Sequence, residues 1–94
     1  MGMGGSGPYE WDDAKYAENG RKHGLDFGFA AHFDWENALV VEDTRKAYSE
    51  RRFIALGTAL EIVCVLVFTP RGKKIRVISL RRANKRERER YENR

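Results

Sequence analysis

The stretch "KKIRVISLRRANKRERERYENR", residues 73–94, decides how the chain is read. Its first half is a strand over residues 74–82. Ile75, Val77, Ile78 and Leu80 form a branched apolar run, broken by Arg76 and closed by Arg81 and Arg82. From Asn84 the pattern turns into that of a polar helix. Asn84 suits an N-cap, and Glu87 three residues later completes a capping box. An arginine-bearing strand therefore runs straight into an arginine-rich helix. Strict alternation along the strand puts Arg76 and Arg82 on one face and Arg81 on the other.

Working outward, "EIVCVLVFT" (61–69) is almost continuously apolar, the mark of a strand covered on both faces and central in its sheet. "PRGK" (70–73) is the turn between these two strands. "RRFIALG" (51–57) is a further strand, with Phe53, Ala55 and Gly57 alternating against Arg52, Ile54 and Leu56, and "ALVVED" (38–43) is the first. The polar segment "TRKAYSE" (44–50) links them. "EWDDAKYAENGRKHG" (10–24) is a helix capped by Asp12 or Asp13 and stopped at Gly24. "LDFGFAAHFDW" (25–35) is a second, short helix with Asp26 as N-cap and Phe27, Ala30, Ala31 and Phe33 facing inward, weakened by Gly28. "MGMGGSG" is set aside within a leader or linker remnant over residues 1–8, which leaves a single domain over residues 9–94. The expected fold is α+β, in the order α-α-β-β-β-β-α. It has a small antiparallel sheet of about four strands, two N-terminal helices and one C-terminal helix, with the helices on one face.

Ninety-four residues support one core. With 41% apolar and 34% charged residues the chain belongs among folded domains, and disorder is excluded. The only cysteine, Cys64, sits inside the apolar run and reads as a core hydrophobe, so no disulfide framework exists, as suits a reducing cytosol. No stretch reaches the roughly 18 apolar residues of a membrane span, and no secretory pattern is present. The sequence lacks a clustered Cys/His/Asp ligand set, so no metal and no other cofactor is expected. Charge is polarised. Residues 71–94 hold eleven Lys or Arg against three Glu, whereas residues 1–70 hold seven against eleven acids. Such a chain presents one cationic region suited to a polyanion. A solvated face of Glu–Arg pairs explains the helix equally well, but not Arg76, Arg81 and Arg82 on a strand.

Three segments together resemble the BrnT family of toxins from bacterial type II toxin–antitoxin systems. They are "WDDAKYAENGRKHGLDF", "ERRFIALG" and "VLVFTPRGKKIRVISLRRANKRERERYE", covering roughly residues 10–92. The sharper parts are W-D-x-x-K, N-x-x-K-H-G and I-R-V-I-S-L-R-R-A. At "SERRF" (49–53) the chain departs from the family pattern. Arg51 stands where an acid usually precedes the arginine, and Phe53 where a Trp follows it. The resemblance implies a RelE-like fold, a cytoplasmic endoribonuclease that inhibits translation, and neutralisation by a BrnA-type antitoxin. The antitoxin would carry the DNA-binding element, so operator DNA would be met only through it.

Metal-independent RNA cleavage uses the substrate's own 2′-OH as nucleophile. The protein must stabilise a phosphorane, take one proton and supply another. Arg76 and Arg81 are the first choice for transition-state stabilisation, since a guanidinium fork holds two phosphate oxygens at once. Arg52 and Arg82 follow as phosphate-positioning or stabilising groups, with Lys22 as a further substrate-binding cation. His23 is the acid/base candidate, or else a helix C-cap. Glu50 serves as base or pairs with Arg52. Tyr91 reaches the site from the last helix or packs beneath it. His32 reads as a packed side chain, and Trp11 and Trp35 as buried rather than base-stacking. The alternative function is a non-catalytic nucleic-acid-binding module built on the basic C-terminal region. A purely structural partner domain would leave the strand arginines unexplained.

Overall fold

The apolar run around Cys64 lies in the middle of a six-stranded sheet. The computed structural model describes residues 2–94. The strands are β1 (Met3–Ser6), β2 (Tyr9–Asp12), β3 (Leu39–Glu42), β4 (Phe53–Ala59), β5 (Ile62–Arg71) and β6 (Lys74–Arg82). Their order across the sheet is β1-β2-β6-β5-β4-β3. Helix α1 spans Asp13–Arg21, a 3-10 helix spans Phe27–His32, and α2 spans Lys85–Glu92. No helix among the described residues is long and apolar enough to cross a membrane.

One face of the sheet carries the main core. Tyr9, Trp11, Ala55, Cys64, Leu66, Phe68, Val77 and Leu80 meet Phe27 and Ala30 of the 3-10 helix and Phe33, its C-cap. Fully burying an apolar side chain contributes about 1.5–3 kcal/mol, so this face dominates stability. Burial pushes the Cys64 thiol up to about 11, consistent with an inert core residue. The opposite face carries a smaller cluster in which Tyr91 of α2 and Ala83 pack on Leu56 and Val65. The capping box that starts α2 is formed: Glu87 N–H donates to Asn84 Oδ1 at 2.8 Å, and Asn84 N–H to Glu87 Oε1 at 2.9 Å.

Several expectations are corrected. The sheet has six strands rather than about four, and it is mixed, because β2 runs parallel to β6. Helical elements lie on both faces. The second N-terminal helix is a six-residue 3-10 helix, in which Ala31 and His32 point outward while Phe27 and Ala30 are buried. Met3–Ser6, set aside as a leader, pairs with β2 as an edge strand. Its glycines carry no periodic signal, yet Gly4 has to be small. A Cβ there would lie 2.0 Å from Trp11 Nε1. Only four residues long, β2 runs directly into the α1 cap, where Asp12 accepts from Ala14 N–H at 2.8 Å. The segment therefore reads locally as the start of a helix.

β2 pairs with β6 only from Ile75 to Val77, after which the β6 edge would be bare. Asn19 of α1 closes it. Its Nδ2 donates to the Leu80 carbonyl at 2.9 Å and the Leu25 carbonyl at 2.8 Å, and Leu80 N–H donates to its Oδ1 at 3.1 Å. A side-chain amide thus stands in for a strand partner. The helix end follows from this. The left-handed residue after the C-cap is His23, with φ 60°, and not Gly24. Gly24 is needed for space instead, since a Cβ there would lie 2.2 Å from Asn19 Nδ2.

Candidate functional site

A bulge in β6 settles where the strand arginines point. Val67 pairs with Ser79 and Phe68 with Val77, so Ile78 is passed over in the register. Beyond the bulge the facing inverts. Val77 and Leu80, three apart, both enter the main core. Arg76 lies opposite Thr69 and Arg81 opposite Val65, both on the α2 face, while Arg82 lies opposite Cys64 on the other. The expected pairing of Arg76 with Arg82 on one face is therefore corrected: Arg76 and Arg81 share it.

On that face an open cleft of about 250 Å³ sits where β2 ends, α1 begins and the β3–β4 loop folds over. Arg76, Arg52 and Lys15 supply its cations, Glu50 and Asp12 its carboxylates, and Tyr48 and Thr69 its remaining polar wall. Arg76 is held by Glu10 of the neighbouring strand, with Nη2 to Oε2 at 2.6 Å and Nε to the same oxygen at 2.9 Å. The pair is only 23% and 20% exposed, so water screens it weakly. Glu50 accepts from Arg71 Nη2 at 2.5 Å. Lys15 and Arg52 form no ion pair among the described residues. Arg52 instead lays its guanidinium over the Tyr48 ring, 4.0 Å from the centroid, and its buried Nε has no hydrogen-bond partner among the described residues.

The remaining expected residues lie apart. Arg81 is five residues along β6 from Arg76, roughly 15 Å at the strand rise. It donates to both Glu87 carboxylate oxygens, at 2.8 and 2.9 Å, and so ties the strand to α2. That contact lowers the Glu87 pKa and raises that of Arg81. Arg82 is exposed on the opposite face. His23 lies beyond the far end of α1, about 12 Å from Lys15 at the helical rise. Lys22 pairs with Glu18 at 2.9 Å and lines a groove that Lys15 and Ile78 extend into the cleft. Tyr91 is buried against the sheet, with Arg94 stacked on its ring. Trp35 donates to the Tyr9 hydroxyl at 2.7 Å, and Trp11 is buried in the core.

Lys15, Tyr48, Asn19 and Asp43 escaped selection as site residues. Lys15 is the lysine of the W-D-x-x-K opening and Asn19 the first residue of N-x-x-K-H-G, so both carried a visible signal. Tyr48 and Asp43 carried none, because the contacts that define them arise only when the loop closes. Among the described residues no three His, Cys, Asp or Glu side chains gather in ligating geometry.

Comparison with known families finds a match over most of the chain. The model described as "Ribonuclease toxin, BrnT, of type II toxin-antitoxin system" covers residues 11–87. No curated protein sequence matches at a significant level.

Proposed function

The chain belongs to the BrnT family of ribonuclease toxins of type II toxin–antitoxin systems, and from that premise we propose that the cleft around Arg76 and Arg52 cuts RNA without a metal. The observation that carries this reading is the gathering of Arg76, Arg52 and Lys15 beside Glu50 on one open face. Among the described residues Arg52 and Lys15 have no acidic partner to neutralise them. Glu50 takes the proton of the 2′-OH, and the 2′-oxygen attacks the adjacent phosphorus. Arg52 grips the phosphate backbone in the bound substrate, and Arg76 holds the non-bridging oxygens as charge builds on them. The P–O5′ bond then breaks, leaving a 2′,3′-cyclic phosphate, and Lys15 or water protonates the departing 5′-oxygen. Lys22 extends the cationic track along α1 for the flanking backbone. Arg81 holds α2 in place, His23 ends a helix, and Tyr91 packs. The shared face, and not the basic helix, is the working part.

Within the cell this activity stops translation in the bacterial cytoplasm, and a BrnA-type antitoxin reverses it by covering the cleft face. Operator DNA is reached only through that antitoxin. The competing reading, a nucleic-acid-binding module, draws on the exposed Lys85, Arg86 and Arg90 of α2. Stoichiometric binding without product would favour it. The test in cells is inducible expression alone and with the antitoxin. Arrest relieved by the antitoxin and absent from the Arg76→Ala chain supports the proposal; unimpaired growth at high expression of folded protein refutes it.

A further inference from the structure

Arg52 reaches the cleft from a ten-residue loop, residues 43–52, and that loop is organised by one buried carboxylate. The Asp43 side chain is fully shielded from solvent. It accepts from Arg45 Nε and Nη2, each at 2.8 Å, from Arg45 N–H at 3.1 Å, and from the Tyr48 hydroxyl at 2.8 Å. The Asp43 N–H donates to the Arg52 carbonyl at 2.7 Å and so closes the base of the loop. Tyr48 then offers its ring to the Arg52 guanidinium. Donating its hydroxyl proton to a carboxylate enriches the ring's electrons, which strengthens its hold on a cation. No carboxylate of the described residues pairs with Arg52. Tyr48 and the backbone tie at Asp43 are thus what aim it.

We infer that Asp43 is a positioning residue for RNA binding, acting through Tyr48 to hold Arg52 against the substrate backbone. It touches no substrate. Its effect is to deliver one preorganised cation at no entropic cost at the moment of binding, while Arg76 is fixed separately by Glu10. The inference rests on the reading of the cleft as an RNA site.

The experiment uses the whole purified chain, a single-stranded RNA substrate, the variants D43N, Y48L and R52A, and the doubles D43N/R52A and Y48L/R52A. D43N and Y48L should each raise KM about tenfold, the worth of one charge-assisted contact, with kcat much less affected. Each should also reduce the slope of log affinity against log salt by about 0.7, one phosphate contact on a single strand. On the R52A background neither should cost anything further. Losses that add fully to that of R52A, or an unchanged KM and salt slope in folded D43N, would overturn the role of Asp43. If D43N does not fold, Y48L carries the same cycle. An unmodified chain that leaves RNA intact would instead sink the ribonuclease reading of the cleft, and this inference with it.

Discussion

Replacing Asn19 tests how α1 is fastened to the sheet, and through it how Lys15 reaches the cleft and Lys22 the groove beside it. Asn19 is buried and makes three hydrogen bonds, two of them with Leu80 at a point where β6 has lost β2 as a partner. Each bond is worth about 0.5–1.5 kcal/mol net, and an amide left unpaired in a buried place costs more. Asn19→Ala should therefore cost about 3 kcal/mol, a large share of the roughly 5–15 kcal/mol that holds such a domain. In a chain of this size that is a fall in melting temperature of about 12–24 °C. Asn19→Asp is the sharper variant. It keeps the acceptor for Leu80 N–H but turns a carboxylate toward two carbonyl oxygens that Nδ2 now satisfies, so it should cost at least as much as Ala. Urea unfolding followed by the fluorescence of Trp11 and Trp35 measures both. If each variant loses less than about 1 kcal/mol, Asn19 does not close the β6 edge, and the structural reading of the N-x-x-K-H-G motif is wrong.

Arg76→Ala should lower kcat for RNA cleavage by about 10²–10³, the cost of one lost transition-state donor. It should be made together with Glu10→Gln, so that no half-buried carboxylate is left unpaired. Arg81→Ala should leave cleavage within a few-fold and cost about 1 kcal/mol or less, since its partnership with Glu87 is half exposed. A loss of activity matching that of Arg76→Ala would move the site toward α2. Acid should loosen the β3–β4 loop. The hydrogen bonds from Arg45, then those from its backbone and from Tyr48, hold the Asp43 carboxyl far below the usual carboxylate range, against the opposing effect of burial. A depressed folded-state pKa contributes stability above the unfolded value, near pH 4, and loses it as pH falls further. Urea midpoints should therefore drop below about pH 4, and less steeply in Asp43→Asn.

What could be read from the chain is what is local. The capping box at Asn84 and Glu87, the unbroken apolar run of β5 and the strand character of β4 and β6 each lie within ten residues, and each forms as expected. β1 and β2 were hidden because a glycine-rich segment and a four-residue strand have no period to show. The bulge at Ile78 was hidden for a different reason. It is a property of how β6 pairs with β5, and nothing in "IRVISLRR" marks one residue as surplus. That single residue reverses the facing of Arg81 and Arg82, so correct strand bounds still gave wrong neighbours. In the cleft, Arg76, Arg52 and Glu50 could be named from residue type and setting. Their supports could not: Arg76 meets Glu10 across 66 positions, and Arg52 lies over Tyr48, whose hydroxyl donates to Asp43.

The most direct test is cleavage of a defined single-stranded RNA by the purified chain in excess EDTA, with the new ends identified. The expected result is multiple turnover, products ending in 2′,3′-cyclic phosphate and 5′-hydroxyl, and loss of that turnover in the folded Arg76→Ala/Glu10→Gln chain. Intact RNA held in a one-to-one complex, or products with 5′-phosphate ends that form only when a divalent ion is restored, would contradict it.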